Sequence, residues 1–203
     1  MKIAITQGDT NGVGLEVILK AFEDPTMCEL CTPIIYGSPK AAAYYRKTID
    51  LTTNWVTITT PEEAQDGKLN LLVTTDEEVK IDLGQATPES GAAALQALER
   101  AVADAKEGLV DALVTAPICK AAIQGEQFHF PGHTEYLAER LATVPDGSAP
   151  APLMILMDDS LRVALVTTHL PLREVAQAVT EDAILAKLAI FDRSLRQDFL
   201  ITH

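Results

Sequence analysis

The segment Arg162–Leu172, RVALVTTHLPL, decides how the rest of the chain is read. An apolar run passes into two threonines and then His169, and Leu170-Pro171 follows as the opening of a helix. This pattern predicts a buried strand that delivers His169 at its carboxyl end, where open α/β sheets place their ligand sites. An imidazole held there suits a divalent metal or a general base. A lone histidine at a strand end is more often structural than catalytic, and one histidine does not make a metal site.

Around this segment, Leu153–Met157, the turn Asp158-Asp159-Ser160 and Leu161–Thr167 predict an antiparallel hairpin. Glu181–Phe199 predicts a helix with Ile184, Leu188, Phe191, Leu195 and Phe199 on one face. Upstream, Pro145–Pro152 reads as a loop, and helices over Ile118–Gln124 and Thr134–Ala142 flank the loop Gly125–His133. Strands are expected at Lys2–Thr6, Thr32–Tyr36, Trp55–Thr59, Leu69–Thr74 and Leu109–Thr115. Between them fall helices at Leu15–Glu23, at a segment opened by Ser38 as N-cap with Pro39 first inside, and at Gly91–Glu107. The alternation gives an α/β fold with a mostly parallel mixed sheet flanked by helices. The expected division is 1–125, a first α/β domain holding the glycine loop, and 126–203, a partial second domain holding the histidines.

Composition narrows the function. The 203 residues are 47% hydrophobic, with a mean hydropathy of +0.11, so a substantial core is expected. A net charge of −13 and a pI near 4.6 argue against nucleic acid or an anionic membrane as a partner. The first residues, MKIAITQGD, enter a strand directly, without the pattern of a secretion leader, and no apolar run is long enough to span a membrane. A cytoplasmic protein is expected. Cys28-x-x-Cys31 has the spacing of a redox pair or half a zinc site, but no second pair exists, so reduced thiols are expected for it and for Cys119.

Three further segments bear chemistry. Gly8-Asp-Thr-Asn-Gly12-Val-Gly14 joins a strand to a helix; it either aims amides at an anion or makes a tight turn, with Asp9 ordering the loop or capping the helix. It matches neither G-x-G-x-x-G nor a P-loop. Thr115-Ala-Pro-Ile-Cys-Lys120 ends a strand and sets Lys120 early in a helix, either as a point charge for a phosphate or carboxylate or as a solvated side chain. Phe128-His-Phe-Pro-Gly-His133-Thr134-Glu135 places His133 and Thr134 after a Pro-Gly turn, facing a cleft or, for Thr134, capping the helix. His129, between two aromatics, reads as a packing or loop residue rather than a ligand.

GDTNGVGLEV, VTAPICKAAI, FPGHTEYLAER and LRVALVTTHLPL, in this order, closely resemble the PdxA family, the 4-hydroxythreonine-4-phosphate dehydrogenases of vitamin B6 synthesis. The resemblance implies a fold similar to isocitrate and isopropylmalate dehydrogenases, and a homodimer with its active site at the interface. It implies that His133 and Thr134 bind substrate and that His169 is the first ligand of a divalent Zn, Mg or Co. Two further histidines, in Asn-Pro-His-Ala-Gly and His-Asp-Gln-Gly segments, complete the family's site. Neither segment occurs here, and His203 has the wrong context to replace them. The chain therefore reads as a C-terminally truncated member, inactive alone, without most of the nicotinamide-binding region. Catalytic and cofactor-binding residues are not assigned. The implied reaction is oxidation of 4-phosphooxy-L-threonine by NAD, or NADP, with decarboxylation to 3-amino-2-oxopropyl phosphate. Related proteins acting on 4-phospho-D-threonate or D-erythronate, an acyltransferase-like protein and a non-catalytic fragment are the alternatives. The family's first loop commonly reads Gly-Asp-Pro-Ala-Gly-Ile-Gly-Pro-Glu; here Thr10, Asn11 and Leu15 replace the prolines and alanine.

Overall fold

The computed structural model of the chain describes residues 1–75, 79–125, 128–141 and 152–201. They fall into two compact units, Met1–Asp146 and Gly147–His203. The first unit is built on strands β1 (Lys2–Thr6), β2 (Thr32–Gly37), β3 (Val56–Ile58), β4 (Asn70–Val73) and β5 (Ala112–Thr115), with helices α1 (Gly14–Ala21), α2 (Met27–Leu30), α3 (Pro39–Thr48), α4 (Pro88–Lys106), α5 (Lys120–Ile123) and α6 (His133–Leu141). The helix bearing His133 thus belongs to the first unit, beyond the expected division at 125/126.

The five strands form one sheet in the order β3-β4-β2-β1-β5, and every pairing is parallel. Alternation along the strands sends neighbouring residues to opposite faces. Ile5, Ile35 and Leu71 pack with Leu15, Ile18 and Leu19 of α1 and Ala41, Ala42 and Tyr45 of α3. Ala4, Ile34, Tyr36 and Leu72 pack with Ala97 and Ala101 of α4. Both faces are covered, which is why these strands read as continuous apolar runs. A third cluster joins the far side of α4, through Leu95, Leu98 and Val102, to Phe128, Phe130 and Tyr136.

Local signals set the helix starts. Ser38 accepts a hydrogen bond from the Ala41 amide and Pro39 follows it, as expected. α4 begins at Pro88 rather than Gly91, because Thr87 caps it by accepting from the Ser90 amide. Gly91 lies inside the helix, where a Cβ would collide with the Ala122 carbonyl of α5.

The second unit contains the hairpin β6 (Ile155–Met157) and β7 (Arg162–Ala164), antiparallel with Leu156 opposite Val163, then α7 (Leu172–Ala178) and α8 (Glu181–Gln197). The Asp158 carboxylate orders the turn by accepting from the Ser160 and Leu161 amides. One sequence expectation changes here: β7 is short and only partly buried. No residue of α8 is buried, and Leu188 is 53% exposed. Among the described residues of this unit, one hairpin is the whole sheet, which leaves no second layer to cover that face. The expected loop at 145–151 and His203 lie outside the described residues.

Tyr36, wholly buried on β2, donates to the Asp104 carboxylate of α4 at 2.8 Å, and Arg100 pairs with the same carboxylate at 3.0 Å. Burial, then the Asp104 contact, raise the Tyr36 pKa well above the ordinary range. Tyr36→Phe is expected to destabilise the first unit by about 1.5–3 kcal/mol, the cost of removing a hydrogen bond to a buried charged group. Urea unfolding measures it; an unchanged midpoint would refute the role of this bond.

Candidate functional site

In a parallel sheet of this order, the carboxyl ends of β1 and β5 flank the point where strand progression changes direction, the usual place for a ligand crevice. The glycine loop leaves β1 here, and the Ala116–Cys119 turn leaves β5. The loop is closed on itself. The Asp9 amide donates to the Pro117 carbonyl, the Gly12 amide to the Asp9 carbonyl, and the Asn11 amide to the Asp9 carboxylate. Tyr45 of α3 donates to the Thr10 and Gly12 carbonyls, and the Asn11 side chain bonds Gln85, Thr87 and the Asp82 amide. Three loop amides are thus engaged internally, which makes a tight turn, and Asp9 orders the loop.

Glycine is required at two places in it. Gly8 has φ +70°, and a Cβ there would strike the Pro117 carbonyl; a Cβ on Gly14 would strike the Gln7 carbonyl. Gln7 itself is fully buried. Its Oε1 accepts from the Ser38 amide at 2.8 Å, and its Nε2 donates to the Ala93 carbonyl at 3.3 Å. The sequence reading passed over Gln7, Asn11 and Tyr45. A neutral amide directly after a buried strand and before a glycine turn was the available signal for Gln7.

His133 is the first residue of α6, so Thr134 stands inside the helix rather than at its cap. Gly132 accepts from the Tyr136 amide at 3.3 Å, and Glu135 occupies the first turn. Tyr136 anchors the helix, stacked on Phe128 at 5.3 Å and edge-on to Phe130. His133 is half-buried, and its Nε2 has no hydrogen-bond partner among the described residues. Burial lowers its pKa, which keeps the imidazole neutral at pH 7. His129 is an exposed loop residue that stacks on Phe130 at 4.6 Å. Lys120 opens α5 with its side chain exposed.

His169 belongs to the second unit. It lies five residues beyond the end of β7, exposed, with φ +57°. The expected delivery on a buried strand end is therefore replaced by an exposed turn. Among the described residues, no three His, Cys, Asp or Glu side chains gather in a way that could hold a metal. His169 alone does not form a metal centre.

Residues 29–203 match the family model described as pyridoxal phosphate biosynthetic protein PdxA. The chain is 56% identical over 199 residues to a 4-hydroxythreonine-4-phosphate dehydrogenase of Bacteroides thetaiotaomicron, covering 98% of this chain and 53% of that protein. It is 34% identical over 202 residues to the enzyme of that name from a Sulfurihydrogenibium species, covering 100% of this chain and 60% of the relative. The crystal structure of a 4-hydroxythreonine-4-phosphate dehydrogenase from Burkholderia phymatum superposes with a TM-score of 0.82 at 28% identity, over 96% of this chain and 58% of that one. The chain spans little more than half the length of the relatives it matches.

Two outcomes are expected. Gly8→Ala costs about 2 kcal/mol or more, because positive φ and overpacking act together. Gly67→Ala, also at φ +70° but with nothing within 4 Å, costs about 1 kcal/mol. Equal losses in denaturant unfolding would refute the close approach at Pro117. For His133, the folded pKa lies below the ordinary 6.5, so its contribution is complete above that pH and is lost as pH falls through the folded value. An imidazole NMR titration midpoint at or above 6.5 would contradict this.

Proposed function

The chain belongs to the PdxA family, and on that premise we propose that it forms part of an NAD-dependent 4-hydroxythreonine-4-phosphate dehydrogenase, with NADP as the alternative carrier. The reaction oxidises the C3 hydroxyl of 4-phosphooxy-L-threonine, and the resulting β-keto acid loses carbon dioxide to give 3-amino-2-oxopropyl phosphate. The observation that carries the reading is His133: neutral, fixed at the start of α6, with Nε2 unpartnered. A neutral imidazole can donate to a substrate oxygen and release it without the cost of separating an ion pair. Thr134, next in the helix, supplies a hydroxyl to the same substrate. In this reading both bind and orient the phosphorylated substrate.

His169 would be the first ligand of a divalent Zn, Mg or Co. The residues present do not complete such a site, so no step is assigned to the metal. The nicotinamide accepts the hydride when bound, and no residue of this chain is assigned to it. A homodimer is supported by the bare outer face of the hairpin, where Leu156 and Val163 are 56% and 41% exposed. A cytoplasmic location is supported by the charge of −13, and among the described residues no helix is long and apolar enough to cross a membrane.

The polypeptide alone is expected to form no NADH from 4-phosphooxy-L-threonine with NAD and any of the three metals; turnover by the purified chain would overturn this. Joined to the remaining length of its Bacteroides relative, it is expected to form NADH. There His133→Ala should lower kcat/KM about 10- to 150-fold, the value of a hydrogen bond to a charged group. Preference for 4-phospho-D-threonate or D-erythronate would reassign the substrate, and inactivity on all of them would refute the dehydrogenase reading.

A further inference from the structure

At the sheet edge opposite the glycine loop, a cleft of about 540 Å³ opens between the end of α1 and the amino ends of β3 and β4. Phe22, Trp55 and Leu69 line it together with Lys68 and the thiol-bearing Cys28. Arg46 lies over the Trp55 ring at 4.7 Å. Cys28 is the second residue of α2, and Cys31 ends that helix with an extended backbone, immediately before β2. Both are free thiols; Cys28 is 6% exposed and Cys31 is partly exposed.

Backbone geometry brings the two within bridging range. Glu29 and Leu30 between them are helical, which sets the Cα atoms of residues three apart at about 5 Å. Disulfides need a separation of roughly 4.4–6.8 Å. The coupling between the two thiols agrees: burial raises the Cys28 pKa, and Cys31 adds to the rise. β2 is already fixed, because the Thr32 amide donates to the Met1 carbonyl at 2.8 Å. Closing this short ring therefore leaves the sheet register unchanged.

We propose that Cys28 and Cys31 form a redox-modifiable pair that closes to a disulfide in the wall of this cleft, with a small-molecule disulfide as oxidant. The more accessible Cys31 thiolate attacks the oxidant, forming a mixed disulfide and releasing one thiolate. Cys28, its proton passing to solvent, then attacks the Cys31 Sγ and expels the second. The two cysteines lose two electrons and two protons, and the oxidant becomes two thiols. The proposal is independent of the dehydrogenase reading.

The test equilibrates the purified chain with defined ratios of oxidised to reduced glutathione, followed by thiol counting, mass spectrometry and peptide mapping. The expected product has lost two hydrogens in mass and carries a Cys28–Cys31 link that forms equally in Cys119→Ser. Cys28→Ser should instead stop at a glutathione adduct on Cys31. Trp55, the chain's one tryptophan, should report closure by reduced emission that returns with dithiothreitol. Separate glutathione adducts on Cys28 and Cys31 at every ratio, or a bridge through Cys119, would overturn the pair. A mapped link with unchanged Trp55 emission would overturn its placement in the cleft.

Discussion

The first unit depends on one buried amide. Gln7 emerges from the central strand β1 and reaches both layers of helices: it accepts from Ser38 at the start of α3 and donates to Ala93 in α4. These helices cover opposite faces of the sheet. A buried amide with both ends satisfied is favourable, whereas losing either partner leaves a desolvated polar group. The carboxyl edge of the sheet is thus held at a defined spacing, and the loops that leave it inherit that spacing.

The glycine loop follows from this constraint. Gly8 and Gly14 let the backbone pass against Pro117 and Gln7, and internal hydrogen bonds engage the Asp9, Asn11 and Gly12 amides and the Thr10 and Gly12 carbonyls. Thr10 and Asn11 stand where the family commonly has a proline and an alanine. Here rigidity comes from hydrogen bonding, through the contacts of Asn11 with Asp82, Gln85 and Thr87. His133 depends on a different support, the aromatic packing of Tyr136 against Phe128 and Phe130, which fixes α6 on the far side of α4.

Legibility in the sequence followed the range of the forces involved. Ser38-Pro39 was readable because capping is decided within four residues. Thr87-Pro88 carries the same signal just ahead of Gly91, whereas the apolar periodicity of the helix sets in only after it. The strands β1, β2 and β4 were readable because burial on both faces demands continuous apolar runs. RVALVTTHLPL misled for the same reason: its apolar run matches a buried strand, yet only Arg162–Ala164 is strand, beside one partner. The apolar face of α8 likewise needs an opposing layer to be buried, and periodicity does not say whether one is present.

By itself, the sequence determined the α/β class, the parallel core, most element positions and the family, because these rest on local periodicity, capping and ordered motifs. It also identified His133, Thr134 and His169 as the residues of interest. Only the tertiary structure decided what surrounds them. Burial that leaves the His133 Nε2 neutral and unpartnered, the exposed left-handed turn at His169 and the buried Gln7 joint all depend on atoms distant in sequence. Desolvation and close approach are properties of packed surfaces, and no window of neighbouring residues encodes them alone.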